Sequence, residues 1–382
     1  MQDNIKVIKI LISARDPASA NDIVPIFLAL IKDKRFFVKI LAQNPAHDIF
    51  MEKIPNLNIG QLVKCETHHQ KDEFYSNIAA LFDEFDPDCV LTGISGPENY
   101  GIDEILLNIG GRRKKVKTFS VQSYWGDINN SLGVIADIVF VLDSFAEEVT
   151  LKRCQNCRTV IVGSLSDNSY INIEEARKKI REKYLKGRKK NLKVVGLFGQ
   201  PLFKYKWYQD TILDFIKSMS KVKDSLIVVY RPHPKDDKKS TDWVISNLKA
   251  HSLDCLLAKD DDILTILSGT DMAVSLFSTV GYDLQKLLSK AKYPFSLPVY
   301  LFYNSKFKLW FKKFCKLDEI PMSGEKMSVV VNKKSDLNNI RWLFNKKLKE
   351  KSHIQCKKML NHQSNYGARH VVSKIMENFL DD

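Results

Sequence analysis

KVVGLFGQ, residues 193–200, decides the architecture. It is a near-continuous apolar and β-branched run that ends in a glycine and a polar residue. The design then repeats: a helical pattern around 206–220, SLIVVYRPHP at 225–234, a helix near 241–250, LDCLLA at 253–258, a helix near 261–268, DMAVSLFS at 271–278 and a helix from 279 onward. Strands without polar alternation are covered on both faces, and strands separated by helices run parallel. This half therefore reads as a doubly wound α/β domain.

The same alternation already runs upstream. VIKILISA (7–14), FFVKILA (36–42), CVLTGIS (89–95), VKTFSVQS (116–123), DIVFVLDS (137–144) and TVIVGS (159–164) read as strands. DIVPIFLALIKD (22–33) and FYSNIAALFDEF (74–85) have helical spacing between them. Residues 172–191, NIEEARKKIREKYLKGRKKN, are helical, charged and poor in apolar positions, and are read as the junction. The expected fold class is α/β, two Rossmann-like doubly wound domains: 1–170, a junction at 171–191, 192–360, and a C-terminal helix in 361–382 packing back on the first domain.

Composition narrows the function classes. At 382 residues, 44% hydrophobic and 27% charged, the chain exceeds one ordinary core and is well away from a disordered composition. The net charge of +14 draws anions without choosing among nucleic acid, acidic glycans, nucleotide phosphates and anionic membrane surfaces. Neither a zinc-finger pattern nor the aromatic motif of RNA-binding sheets appears, so sequence-specific nucleic-acid binding is not expected.

Asp3 and Asn4 precede a strand-length apolar run, unlike a signal peptide, and no stretch approaches the ~20 apolar residues that cross a bilayer. A cytoplasmic location is expected, with peripheral association at an anionic membrane as an additional possibility. YLFYNSKFKLWFKKFCK (300–316) mixes aromatics with lysines, a pattern of core packing with a solvated face or of contact with such a membrane. Seven scattered cysteines read as reduced thiols. Cys154 and Cys157 have metal-ligand spacing but lack a second pair, so no metal site is expected.

Ligands of open α/β sheets gather at the carboxyl ends of strands, so the loops there are the candidates. After strand one come Arg15, Asp16, the small residues 17–20, Asn21 and Asp22. Asp16 or Asp22 can accept a proton from an attacking hydroxyl, and capping of the helix is the alternative role for Asp22. After SLIVVY come Arg231, Pro232, His233, Pro234 and Lys235. Two prolines stiffen that loop around His233, and Arg231 and Lys235 carry charge suited to phosphate.

Ser275 to Asp283 form a strand-to-helix turn in which Ser278, Thr279 and Gly281 offer a phosphate cradle, with capping by Ser278 as the competing role. Gly199 and Gln200 supply either a donor contact or a turn. Thr92, Gly93 and Ser95 make a weaker case, as do Asp103 and Glu104 beyond them. Asp260, Asp261 and Asp262 precede an apolar helix and are read as caps, not as a metal cluster.

With these motifs in order, the chain resembles the GT-B glycosyltransferases over nearly its whole length. FGQPL (198–202), VVYRPHPKDD (228–237) and SLFSTVGYD (275–283) look like the series of bacterial sialyltransferases, polysialyltransferases and Kdo transferases. That resemblance implies two domains facing a cleft, an acceptor domain followed by a donor domain, and no metal or other cofactor beyond the nucleotide-sugar itself.

It also implies that His233, Pro234, Ser278 and Thr279 hold the CMP part of a CMP-linked acidic sugar such as sialic acid or Kdo; the loop residues themselves add Gly199, Gln200, Arg231, Lys235 and Gly281 as expected donor contacts. His233, Ser278 and Thr279 would stabilise the leaving phosphate. A surface glycan or lipid-linked acceptor would sit against Arg15, Asn21 and Ser95. ANDIVPIFLAL resembles the first loop and helix of GT-B heptosyltransferases, which implies Asp22 as base. The acidic Asp/Glu-Asp/Glu-Gly motif of several sialyltransferases is missing. SYWGDINNSLGVIADIVFVLDS resembles first-domain sequences of uncharacterised GT-B-like proteins. The alternatives are a nucleotide-sugar 2-epimerase, a CDP-glycerol-type polyol-phosphate transferase, and a non-catalytic GT-B-like binding protein.

Overall fold

The computed structural model describes residues 7–54, 57, 60–66, 71–95, 101–163, 165, 171–259, 261–360 and 367–380. The chain divides into two compact units, Met1–Asp167 with Gln363–Asp382, and Asn168–His362.

Unit 1 runs β1 (Ile8–Ala14), α1 (Pro17–Leu30), β2 (Phe36–Ala42), α2 (Ala46–Lys53), β3 (Leu62–Lys64), α3 (Lys71–Phe85), β4 (Cys89–Gly93), α4 (Ile102–Gly111), β5 (Lys117–Val121), β6 (Ile138–Val141), α5 (Ser144–Arg153) and β7 (Arg158–Ile161). The strands form one sheet in the order β3-β2-β1-β4-β5-β6-β7. Its neighbours pair in parallel, as in Ile8 opposite Phe36 through Ala14 opposite Ala42. Side chains alternate between faces along β1: Ile10 and Ile12 join the cluster under α1, while Leu11 joins the one under α3 and α4. Both faces are thus covered, which is why the strands show no polar alternation.

Helix α1 starts at Pro17, earlier than the spacing from residue 22 suggests, with Asp16 at the N-cap position in extended conformation (φ −91°, ψ 156°). Proline fits the first helical position because its missing N–H has no partner to lose there. Asp22 therefore lies inside the helix and does not cap it.

Unit 2 runs α6 (Ile173–Tyr184), β8 (Lys193–Phe198), α7 (Lys206–Ser220), β9 (Leu226–Arg231), α8 (Lys238–Ala250), β10 (Cys255–Leu257), α9 (Ile263–Gly269), β11 (Met272–Ser275), α10 (Val280–Lys290), β12 (Pro298–Leu301), α11 (Ser305–Cys315), β13 (Val329–Val331) and α12 (Lys346–Leu360). Its strands order as β10-β9-β8-β11-β12-β13, again parallel. Asp262 caps α9 by accepting the Thr265 N–H at 2.9 Å, while Asp260 lies outside the described residues.

The charged stretch after residue 171 is built into this unit. Ile173, Ile180 and Tyr184 of α6 are buried in its core. Its arginines converge on Asp271 at the start of β11, Arg177 at 3.1 Å and Arg181 at 2.7 Å. Burial opposes ionisation of Asp271, but Lys349, Arg181 and Arg177 hold its pKa below the usual range. The low apolar content of α6 thus reflects an ion cluster as well as a solvated face. The last helix, α13 (Ala368–Leu380), belongs to unit 1, where Val371 and Ile375 are fully buried beside α1.

Candidate functional site

In unit 2 the chain leaves β8 for β9 and β10 on one side, then crosses back to β11 on the other. The loops after β8 and β11 diverge at that reversal, and this is where an open parallel sheet offers a crevice. Gln200 spans it. Its side-chain oxygen accepts from the Leu276 and Phe277 amides, both at 3.1 Å, and its own amide donates to the Tyr208 hydroxyl at 3.0 Å.

Gly199 sits against the neighbouring loop. A Cβ there would lie 2.9 Å from Asp236 Oδ2 and 3.1 Å from both the His233 nitrogen and the Tyr230 hydroxyl. A side chain there would crowd that loop, and the Gly199 amide donates to the Arg231 carbonyl at 2.8 Å, so the β8 loop touches both the His-Pro loop and the β11 loop.

The His-Pro loop is fixed by its own polar groups. The His233 amide donates to Asp236 Oδ2 at 2.9 Å, and His233 Nδ1 accepts the Lys235 N–H at 3.1 Å. With Nδ1 accepting, the neutral ring carries its proton on Nε2. The His233 side chain is half-buried, and Pro234 and Lys235 are exposed. Burial raises the Asp236 pKa to about 6, against the lowering effect of the His233 N–H.

Two of the expected donor contacts also have structural partners of their own. Arg231 directs its Nη1 to the carbonyls of Ala258 (3.2 Å), Lys259 (3.4 Å) and Asp261, so its charge braces the chain after β10. At Gly281 a Cβ would lie 1.8 Å from the Tyr300 hydroxyl, so that glycine is there for packing.

Ser278 and Thr279 lie half-buried where β11 gives way to α10. Thr279 takes the N-cap position without a side-chain capping bond, and Ser278 Oγ accepts the Val280 N–H at 3.3 Å. The capping role of Ser278 is thus a single long bond. The N-terminus of α10 carries the partial positive charge that favours an anion.

Unit 1 has its own reversal, between β1 and β4. Asp103 of α4 joins the two loops: its Oδ1 accepts from Ser13 Oγ at 2.7 Å and its Oδ2 accepts from Ser95 Oγ. Ser95 Oγ in turn receives the Asp16 amide at 3.3 Å. Arg15 and Glu104 form a buried ion pair at 3.4 Å. Burial drives both acids up, Asp103 to about 6 against the Ser95 and Ser13 hydrogen bonds, and Glu104 to about 7 against the charge of Arg15. The second oxygen of Glu104 is buried without a hydrogen-bond partner among the described residues.

The other first-half candidates scatter around that network. Asp22, half-buried, accepts from Ser123 Oγ at 2.6 Å. Asn21 accepts from Lys53 Nζ at 2.7 Å. Thr92 pairs with Ser120 at 2.8 Å, and Gly93 leaves room for Ser19, whose Oγ lies 1.5 Å from where a Cβ would sit. Arg15 and Ser95 are thus tied to buried carboxylates where acceptor contacts were expected. Cys157 Sγ donates to the Cys154 carbonyl at 3.0 Å, and the described residues contain no group of three or more side chains suited to a metal.

Sequence reasoning missed Asp236, Tyr208 and Gln43, whose Oε1 accepts the Ile102 N–H at 2.9 Å. Gln43 directly follows a strand, which is a usable signal. Tyr208 lies inside a helix and gives none.

No protein-family profile matches the sequence, and no curated protein matches it. Solved structures do. A UDP-GlcNAc 2-epimerase from Neisseria meningitidis bound to UDP-GlcNAc superposes with a TM-score of 0.70 at 13% identity, over 97% of this chain and 100% of that one. A glycosyltransferase from Rickettsia africae gives 0.60 at 12% identity over 98% of each chain. The Anabaena protein HepE, in complex with UDP and glucose, gives 0.61 at 12% over 97% of this chain and 99% of its own. The fold is of the GT-B type. At these identities the GT-B likeness establishes architecture, and the chemistry is argued from the residues.

Proposed function

We propose that this chain is a nucleotide-sugar-transforming enzyme whose second unit binds the phosphate-bearing part of its substrate at the β8–β11 crevice. The observation that carries this reading is the linkage of three loops there: Gly199 against the His233 loop, and Gln200 on the amides that lead to Ser278 and Thr279. An Nε2–H donor and a helix N-terminus suit a diphosphate. Ser278 and Thr279 add hydroxyls, and exposed Lys235 adds charge.

Among the reactions open to such an enzyme, we favour 2-epimerisation of a UDP-linked sugar over transfer of a CMP-linked acidic sugar. Support comes from the whole-length likeness to 2-epimerase structures and from the UDP or UDP-GlcNAc named with the neighbouring proteins. Glycosyl transfer is the second reading. It draws on Asp22, whose carboxylate accepts the Ser123 hydroxyl in the way a general base accepts an acceptor alcohol.

The test is a thermal-shift panel of CMP, CDP, UDP, GDP and ADP on the full chain and on His233→Ala, since a ligand at about 100 times its Kd adds about 2.7 kcal/mol of apparent stability. Selective stabilisation by UDP that the variant loses is the expected result. Indifference to every nucleotide overturns the reading, whereas selectivity for CMP or CDP returns the donor to the transferase alternatives. Incubation with UDP-GlcNAc in the absence of acceptor then separates the reactions. An isomer marks the epimerase, nucleotide release only on adding a glycan marks the transferase, and binding without turnover marks a non-catalytic protein.

A further inference from the structure

The exposed side of α11 carries large apolar side chains. Phe307 and Phe311 are fully buried and fix the helix to the domain, Phe307 packing 5.2 Å from Phe302. Leu309, however, is 71% exposed and Phe314 is 46% exposed. Trp310 stacks on Phe314 at 5.0 Å and meets Tyr205, at the start of α7, at 6.0 Å. The result is an apolar ridge on the surface.

Lysines surround this ridge. Between Ser305 and Lys316 the chain carries five lysines and no acidic residue. Lys313 lies 5.6 Å from the Phe314 ring, and Lys204 lies 5.2 Å from the Tyr205 ring. Two carboxylates neutralise part of the rim, Asp318 on Lys312 at 2.7 Å and Asp210 on Lys206. Lys306, Lys313 and Lys316 remain exposed without a carboxylate among the described residues.

We propose that α11 and the start of α7 dock on an anionic lipid bilayer, with Leu309 and Phe314 entering the interface and the lysines meeting headgroup phosphates. An apolar edge rimmed by long cationic side chains matches the layering of a bilayer surface, where apolar burial and headgroup charge act together. A single-stranded nucleic acid fits less well. Base stacking needs open ring faces, and Trp310 is packed by Phe314 at 5.0 Å and by Phe277 at 5.6 Å. A second copy of the chain would bring like charges together across a two-fold axis. This surface lies wholly within unit 2, and the inference holds whichever reaction the crevice supports.

The test is co-sedimentation of the full chain with sucrose-loaded vesicles, either phosphatidylcholine alone or an equimolar mixture with phosphatidylglycerol. Binding to the anionic vesicles is expected to exceed binding to the neutral ones by about tenfold or more, and to weaken on added salt. Leu309→Glu combined with Phe314→Ser is expected to weaken it by about tenfold. Ile354→Glu, at a position 62% exposed on α12, brings the same negative charge elsewhere and is expected to leave binding unchanged.

Equal binding to both vesicle types, or to neither, overturns the proposal. So does a double variant that binds like the unchanged protein, because charge alone would then account for the attachment. Tighter binding to a single-stranded oligonucleotide, or a dimer in solution that the double variant dissociates, overturns it in favour of that other occupant.

Discussion

The two sheets share the order 3-2-1-4-5-6 along their strands, yet their reversal points are joined by different chemistry. In unit 2 a neutral amide, Gln200, bridges to the amides after β11. In unit 1 an ionisable group, Asp103, gathers the hydroxyls of Ser13 and Ser95, with the Arg15–Glu104 pair beside it. Diverging loops leave polar groups that must be satisfied on burial, and either solution does so. What differs between the two bridging groups themselves is the response to protons, the carboxyl against Gln200's loop being that of Asp236. An amide bridge is indifferent to pH, whereas carboxyls displaced to about 6 and about 7 change state near neutrality.

The largest expected effect comes from breaking the carboxylate joint. Asp103→Ala removes the acceptor of two buried hydroxyls and leaves a small void, at a cost of about 3–4 kcal/mol. Urea unfolding gives the size, and hydrogen exchange along β1 and β4 assigns the loss to unit 1; a cost below about 1 kcal/mol would mean that Asp103 is no joint at all.

Gln200→Ala orphans two backbone N–H groups and is expected to cost about 2–3 kcal/mol, equally at pH 5 and pH 8. A cost that varied with pH would erase the contrast between the two units.

Glu104→Gln sharpens the contrast further. Because the folded carboxyl titrates near 7 instead of 4.5, the native state holds more protons than the unfolded chain between those values, and stability falls as pH rises through that window. The variant should lose this slope, a change of at most about 3 kcal/mol across the window. An unchanged slope in its pH–stability profile would assign the titration to another group.

Ser123→Ala is the mildest change. It removes one hydrogen bond from a half-buried Asp22 and is expected to cost about 0.5–1 kcal/mol in a melting experiment.

Much of the architecture was legible because buried parallel strands leave a strong trace. FFVKILA gave β2 with its bounds unchanged, and KVVGLFGQ gave β8 short of its last two residues. Short strands left less: of those with three residues, Cys255–Leu257 lies within the apolar run LDCLLA, while Leu62–Lys64 and Val329–Val331 were not read. At the sites, sequence marked the loops but not the directions of their side chains. Arg231 closes β9, where a phosphate ligand is expected, and the fold turns its Nη1 to carbonyls 27 to 30 residues later. Asp103 and Glu104 read only as a weak candidate beyond the Thr92–Ser95 loop. Their importance comes from burial against residues about 90 positions away, which no local pattern reports.

The return of α13 to the first unit bears on how the protein is made. Val371 and Ile375 complete a core whose other members are mostly translated before unit 2, and the Gly367 amide closes on the Val162 carbonyl at 2.6 Å. During synthesis the apolar flank of α1 must therefore wait, exposed, while nearly two hundred further residues emerge from the ribosome. The first unit to leave the ribosome is thus the last whose core is complete.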